Sequence, residues 1–161
     1  MNEIVLARID DRLIHGQIVT SWCKTTNANQ IVIVDDNVKK DQFSQRLLKA
    51  ASPPGVKVEI FSLEEGVESL QKEENETKRT ILLTKTPGAM EFLIDHGLEL
   101  KKVVLGGMGA KAGRSQLNKN VSASPEEVNS LKRMMQKGIE IVFQLVPAEN
   151  PVNIKRFIKG E

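Results

Sequence analysis

Five side chains capable of chemistry fall within eight residues, Arg8-Ile9-Asp10-Asp11-Arg12-Leu13-Ile14-His15, and Gly16-Gln17 follow directly. A lone histidine is more often a hydrogen-bonded structural residue than a nucleophile, but its neighbours argue otherwise here. An unperturbed imidazole, with a pKa of ~6.5, keeps a free nitrogen lone pair near neutral pH and is a competent phosphoryl acceptor. The dianion it would carry needs donors. Arg12, three residues away, offers a planar guanidinium fork suited to phosphoryl oxygens, and the amides of Gly16 and Gln17 complete an anion seat if they open a helix. Arg8 is spaced for a structural ion pair with Asp10. Asp10 itself is expected to accept a hydrogen bond from the imidazole and fix its tautomer, with an Asx turn as the plain alternative. Fixed through Nε2, that tautomer leaves Nδ1 of His15 to take the phosphate. Asp11 reads as a solvated loop charge.

These residues need a frame. Ile4-Val5-Leu6-Ala7 leads in as a buried strand, and Gln17 to Thr25 leaves as a helix, so the loop joins strand to helix. Further β-branched runs recur at Gln30 to Val34, Val56 to Phe61, Thr80 to Thr84, Lys102 to Leu105 and Glu140 to Val146. Helix signals lie between them. Ser62-Leu63-Glu64-Glu65 is a capping box, Thr86-Pro87, Ser124-Pro125 and Asn150-Pro151 each place a cap before a first-turn proline, and Gly138 ends a helix begun at Ser124. Such alternation predicts an α/β domain over 1–161, an open, mostly parallel twisted sheet of about six or seven strands with helices on both faces. The stretch from Gly106 to Ser122 reads as a long loop with one short strand around Val121, and Lys72 to Arg79 as a solvated helix end and loop.

Parallel strands end on one edge, so residues after neighbouring strands should surround the loop. Thr84 and Lys85 are the second-tier phosphate contacts this predicts, with Asp35, Asp36 and Gly106-Gly107 nearby. Gly107-Met108-Gly109-Ala110-Lys111-Ala112 fits a dinucleotide pattern, but no amphipathic helix follows, and no cofactor is expected. No His, Cys, Asp or Glu cluster has metal-ligand spacing. His96, after Ile94-Asp95, reads as a helix C-terminal cap. The single Cys23 reads as a small apolar residue beside Trp22 in a reducing compartment. A net charge of +2 and only five Phe and one Trp give no reason to invoke nucleic acid. No apolar run approaches the ~20 residues of a membrane span, and no leader is evident, so a cytoplasmic location is expected.

The unbroken run from Arg8 to Ile18, with Trp22, resembles the IIB component of the mannose/fructose/sorbose class of bacterial sugar phosphotransferase systems. Ile31 to Val38, Leu83-Thr84-Lys85-Thr86-Pro87, Gly106-Gly107-Met108 and Gln144-Leu145-Val146-Pro147 carry the likeness along nearly the whole chain. The resemblance implies that a IIA partner phosphorylates His15 and that the group passes to a sugar held by membrane IIC and IID subunits, beside which the protein sits peripherally. Relatives are commonly associated, so a homodimer is expected; the sugar is not legible. One departure stands out: many of that class carry Asn-x-Gly-Gly-Met-His where this chain has Val104 to Gly109. Two other readings remain open. Arg12-Leu13-Ile14-His15-Gly16 loosely resembles histidine phosphatases, though no second loop histidine is visible, and a regulatory phosphohistidine relative is discriminated by neighbouring IIC and IID genes.

Overall fold

The computed structural model describes residues 2–72 and 77–158. Its strands are β1 (Asn2–Asp10), β2 (Gln30–Val34), β3 (Lys57–Phe61), β4 (Lys78–Thr84), β5 (Lys102–Gly107), β6 (Ser115–Asn118), β7 (Val121–Ala123), β8 (Glu140–Phe143) and β9 (Val152–Asn153). Between them run helices α1 (Gly16–Thr26), α2 (Asp36–Lys40), α3 (Gln42–Ala50), α4 (Leu63–Gln71), α5 (Pro87–Asp95) and α6 (Pro125–Gln136). Seven strands form one sheet in the order β3-β2-β4-β1-β5-β8-β9, parallel except for the edge pair β8 and β9.

Consecutive apolar residues in the central strands are buried on both faces, as in β2, where all five positions are covered. Two cores result. On one face Ala7, Ile9, Val34 and Leu82 pack against Leu70 of α4, Met90 and Leu93 of α5, and Leu131 and Met134 of α6. On the other, Leu6, Ile31, Ile33 and Leu83 meet Val19 and Trp22 of α1 and Val38 of α2, with Leu48 of α3 at the margin. The expected sheet with helices on both faces is therefore present.

Local signals held where capping chemistry was explicit. Ser62 and Ser124 form complete capping boxes, Thr86 caps α5 ahead of Pro87, and Gly138 takes a φ of 88° just past the Lys137 cap of α6. Three expectations need correction. Asn150-Pro151 opens no α-helix: Val152–Asn153 pair with Phe143 and Val142 as an edge strand, and Asn153 caps a short 3₁₀ turn at Ile154–Arg156. A residue before proline is pushed to extended backbone, which suits that edge. The last long strand stops at Phe143 rather than Val146, because Gln144 turns its side chain to its own loop, donating to the Glu149 carbonyl at 2.9 Å. The stretch from Gly106 to Ser122 is not mainly loop: β5 runs on to Gly107, and β6 and β7 form an antiparallel hairpin. Asn118 makes its turn, Oδ1 accepting from the amides of Asn120 and Val121 at 2.9 and 2.8 Å. Of the charge-dense stretch after α4, residues 73–76 lie outside those described, while α4 ends at Gln71 and β4 begins at Lys78.

Candidate active site

Strand β1 lies between β4 and β5, and its onward helix α1 packs on the face opposite to the segments that follow those two neighbours. The β1–α1 loop thus emerges where chain direction diverges, in the crevice that open α/β sheets use for ligands. Its backbone is tightly specified. Asp11 donates its amide to the Gly107 carbonyl at 2.9 Å and Leu13 to that of Asp10 at 3.0 Å. Leu13 adopts a φ of 59°, a left-handed conformation costing a non-glycine residue ~1–2 kcal/mol. Burial holds it there. Only 2% exposed, Leu13 packs with Ile14, Val19 and Trp22.

The two arginines have opposite fates. Arg8 is 1% exposed, donating from Nη1 to the Gln144 carbonyl at 2.9 Å and from Nη2 to Asp10 Oδ2 at 3.2 Å. It lies 5.7 Å from the Trp22 ring centroid, and a Cβ at Gly106 would run into its guanidinium. Burial pushes its pKa below the ordinary value, with Asp10 countering. This is the structural ion pair that the spacing suggested. Arg12 leaves 52% of its side chain exposed and is tethered by its Nε to Asp10 Oδ1 at 3.4 Å, so most of its fork faces outward.

Asp10 requires a correction. It does not reach the imidazole: Oδ1 accepts from the Arg12 amide at 3.0 Å, an Asx turn, and both oxygens are taken up by guanidinium groups. A fully buried carboxylate between two arginines is spent on the loop, and it acts on His15 only through its charge. Asp11 is no free surface charge either. Its Oδ2 accepts from the Gly109 amide at 2.6 Å and from Arg114 Nη1 at 3.0 Å. Arg114 lies 103 residues from Asp11 in the sequence, and only its charge type could have pointed to it.

His15 occupies the N-cap of α1 with φ −143° and ψ 117°, yet its side chain caps nothing. The five other α-helices among the described residues each begin under a side-chain oxygen, from Asp35, Asp41, Ser62, Thr86 and Ser124. The α1 start alone is left open, with Gly16 and Gln17 exposed beside it. His15 Nε2 is closed off from solvent and has no hydrogen-bond partner, the one such side-chain atom among the described residues. Nδ1 makes no hydrogen bond and is the accessible nitrogen. Burial, then the Arg12 charge, lowers the imidazole pKa, which favours the neutral form.

Of the second-tier residues, Lys85 borders the loop and Thr84 is buried. Lys85 is half-buried and shares a shallow cavity of about 200 Å³ with Asp11, Arg12 and Leu13. Thr84 is fully buried beside Ile9, and its hydroxyl donates to the Thr86 carbonyl at 3.0 Å, so that hydroxyl proton is not free for an anion. Asp35 and Asp36 are spent as well, the first capping α2 and the second accepting from the Leu63 amide. A larger cavity of about 540 Å³ lies between the first half of β1 and the residues entering β5, but it holds none of the loop's charged groups. The dinucleotide pattern fails in space: β6 follows it rather than a helix, and the Gly109 amide is already used. His96 sits at the end of α5, with Nδ1 2.8 Å from the Phe92 carbonyl and its ring stacked on Phe92. Burial raises the Cys23 thiol pKa, away from thiolate reactivity. No group of three or more metal-ligating side chains occurs among the described residues, and no helix there is long and apolar enough to cross a membrane.

Solved structures share this architecture closely. The IIBSor domain of the sorbose permease from Klebsiella pneumoniae superposes with a TM-score of 0.89 at 36% identity, covering 94% of this chain and 93% of that one. The manxB protein from Thermoanaerobacter tengcongensis gives the same TM-score at 32% identity over 96% and 94%. In sequence, the sorbose-specific EIIB component of Klebsiella pneumoniae is 35% identical over 152 residues, 94% of this chain and 93% of its own. The mannose-specific EIIAB component of Escherichia coli K12 is 34% identical over 146 residues, 91% of this chain and 45% of its own length. Fold and relatives together define the class, a IIB phosphocarrier component of a sugar phosphotransferase system. More particularly, the chain belongs to the PTS system sorbose subfamily IIB component family, whose model matches residues 4–161.

Proposed function

We propose that His15 carries the phosphoryl group, received from a IIA phosphohistidine and passed to a sugar held by membrane IIC and IID subunits. The observation that carries this reading is the unfinished start of α1: uncapped amides, an accessible Nδ1 with no partner, and an exposed guanidinium on the same loop. In the forward step the Nδ1 lone pair attacks the donor's phosphorus. A new N–P bond forms as the donor's N–P bond breaks, and the donor imidazole leaves. Arg12, the Gly16 and Gln17 amides and Lys85 stabilise the spread negative charge, and positioning supplies the rest. A lowered imidazole pKa suits the acceptor, which must be neutral to attack. Asp10 contributes by holding Arg12 and the loop rather than by touching the ring. Thr84 has no part in it.

The membrane subunits place the protein at the cytoplasmic face of the transporter, and a homodimer fits what is common among relatives. The mannose-specific EIIAB relative carries a IIA and a IIB label in one name, which favours a IIA domain as donor. Incubation with phosphoenolpyruvate, the general phosphotransfer proteins and IIA should deposit one acid-labile, base-stable phosphate per chain. His15→Ala should take none. Label persisting in that variant, or steady release of inorganic phosphate from small esters, would replace this reading with another residue or with a hydrolase.

A further inference from the structure

The loop that is to hold a dianion contains two carboxylates, Asp10 and Asp11, and their charges have to be disposed of. Asp10 is neutralised within the motif by Arg8 and Arg12. Asp11 is neutralised from elsewhere. Arg114, on the segment entering β6, has a side chain only 2% exposed and spends every nitrogen. Nη1 donates to Asp11 Oδ2 at 3.0 Å and to the Gly109 carbonyl at 2.8 Å, while Nε and Nη2 form a two-pronged pair with Glu127 of α6, both at 2.8 Å. Glu127 is itself locked, since Oε1 accepts from the Ser124 amide and its own amide donates to Ser124 Oγ. The chain α6, Glu127, Arg114, Asp11 therefore runs from a capped helix to the residue next to Arg12.

We propose that Arg114 is a positioning residue for phosphoryl transfer: by anchoring and neutralising Asp11 it fixes the loop that carries Arg12 and His15 and keeps an uncompensated anion from the phosphoryl seat. This rests on His15 being the acceptor. The physical reason lies in what else holds the loop. Leu13 is in a left-handed conformation that favours relaxation, and among the described residues the polar ties on residues 11–13 besides Arg114 are two backbone bonds, the Gly109 amide on Asp11 Oδ2 and the Arg12–Asp10 contacts. A second bound anion beside a dianion repels it, whereas the Asp11 oxygen given to Arg114 and the Gly109 amide at 2.6 Å presents little free charge. The contact does not depend on glycine at 109, since a Cβ there would lie 3.5 Å from Asp11 Oδ2, an ordinary contact distance.

The test separates anchoring from mere folding. Single-turnover transfer from phosphorylated IIA is measured for wild type, Asp11→Ala, Asp11→Asn, Arg114→Met and the double variant Asp11→Asn with Arg114→Met. Wild type must first label on His15; failure there sinks the acceptor assignment and not this proposal. Asp11→Ala, a substitution at a partly exposed residue, should fold and slow the maximal rate five-fold or more with the half-saturating IIA concentration within about two-fold. Asp11→Asn, which still accepts from the Gly109 amide, should recover at least half of that loss. Arg114→Met should slow transfer ten-fold or more, and adding Asp11→Asn to it should restore the rate to within about three-fold of wild type by removing the charge that needed a partner. Wild-type rates in Asp11→Ala, or a double variant as slow as Arg114→Met alone, would overturn the proposal. If Arg114→Met does not fold, the Asp11 pair decides it.

Discussion

Two loops leave adjacent parallel strands at the same sheet edge, and they could hardly be finished more differently. After β4, the helix start is finished: the Thr84 hydroxyl bonds the Thr86 carbonyl, Thr86 Oγ1 caps the Ala89 amide, and Pro87 removes a donor that would otherwise need a partner. After β1, the N-cap position is given to a histidine that caps nothing, the preceding leucine is held at a positive φ, and one ring nitrogen is buried without a partner. A buried unpaired polar atom and a missing cap each cost of order 1 kcal/mol, and the strained residue a similar amount. The helix start after β4 is finished for stability, and only Lys85 on that loop is left over for the site. The second gives up stability at the place where an anion could restore it.

The sharpest way to break that contrast is to finish the second loop. His15→Asn places a strong capping side chain at a position whose φ and ψ already suit one, so it should stabilise the fold by ~0.5–2 kcal/mol while abolishing phosphorylation. Urea unfolding and label transfer measure the two halves. A variant that is both inactive and less stable would show that the histidine serves the fold.

Next in size is the outward guanidinium. Arg12→Lys keeps the charge and loses the fork, and should slow transfer from IIA ten-fold or more, ~1.4 kcal/mol of transition-state stabilisation. Arg8→Lys should show the opposite profile: its site is buried among Asp10, Gln144 and Trp22, so the loss should appear first in unfolding free energy. A larger kinetic defect at Arg8 than at Arg12, with stability intact, would reverse the roles assigned here.

The pH response follows from the direction of the imidazole shift. Burial and Arg12 lower the folded pKa of His15 below the unfolded value of ~6.5, so the neutral acceptor persists as pH falls through that value, and transfer should decline only at lower pH. Stability should behave accordingly. Above the unfolded pKa neither state binds the proton; as pH falls toward the folded pKa only the unfolded chain takes it up, and the native state loses stability across that window. Wild type should therefore weaken relative to His15→Asn between about pH 6.5 and the folded pKa. Transfer that drops with an apparent pKa above 6.5 would contradict the cause assigned.

The smallest effect should come from the finished loop. Thr84→Val removes a buried hydroxyl whose partner is a local carbonyl, so it should cost ~1 kcal/mol in stability and leave transfer within about two-fold. A large kinetic loss would return Thr84 to the phosphate site.

Sequence disclosed these regions unequally, for physical reasons. The β1–α1 loop was legible because its chemistry is local: reactive, cationic and helix-opening residues lie within one turn of chain, and strands such as Gln30 to Val34 declare burial by unbroken apolar runs. The pairing of β4 with β1 agrees with the expectation that Lys85, after β4, stands beside the loop, but the rest of the sheet order was not legible. Asp10 was misread because an Asx turn and a histidine contact make the same demand on sequence, and only the competing claims of Arg8 and Arg12 decide between them. Asp11 was missed because its partner is 103 residues away. The β6–β7 hairpin hid in a polar, glycine-rich stretch, although Asn118-Lys119-Asn120 between short alternating runs was a turn signal available to use.

The central claim is that the unfinished start of α1 exists to seat a phosphoryl group on the accessible nitrogen of His15. Its most direct test is ¹H–¹⁵N correlation across the imidazole of ¹⁵N-labelled protein phosphorylated through IIA, read before and after transfer. The account predicts phosphate on Nδ1 of His15, with the Gly16 and Gln17 amide signals shifting as they bind it. Phosphate on Nε2, on another residue, or on His15 without any response from those amides would contradict it.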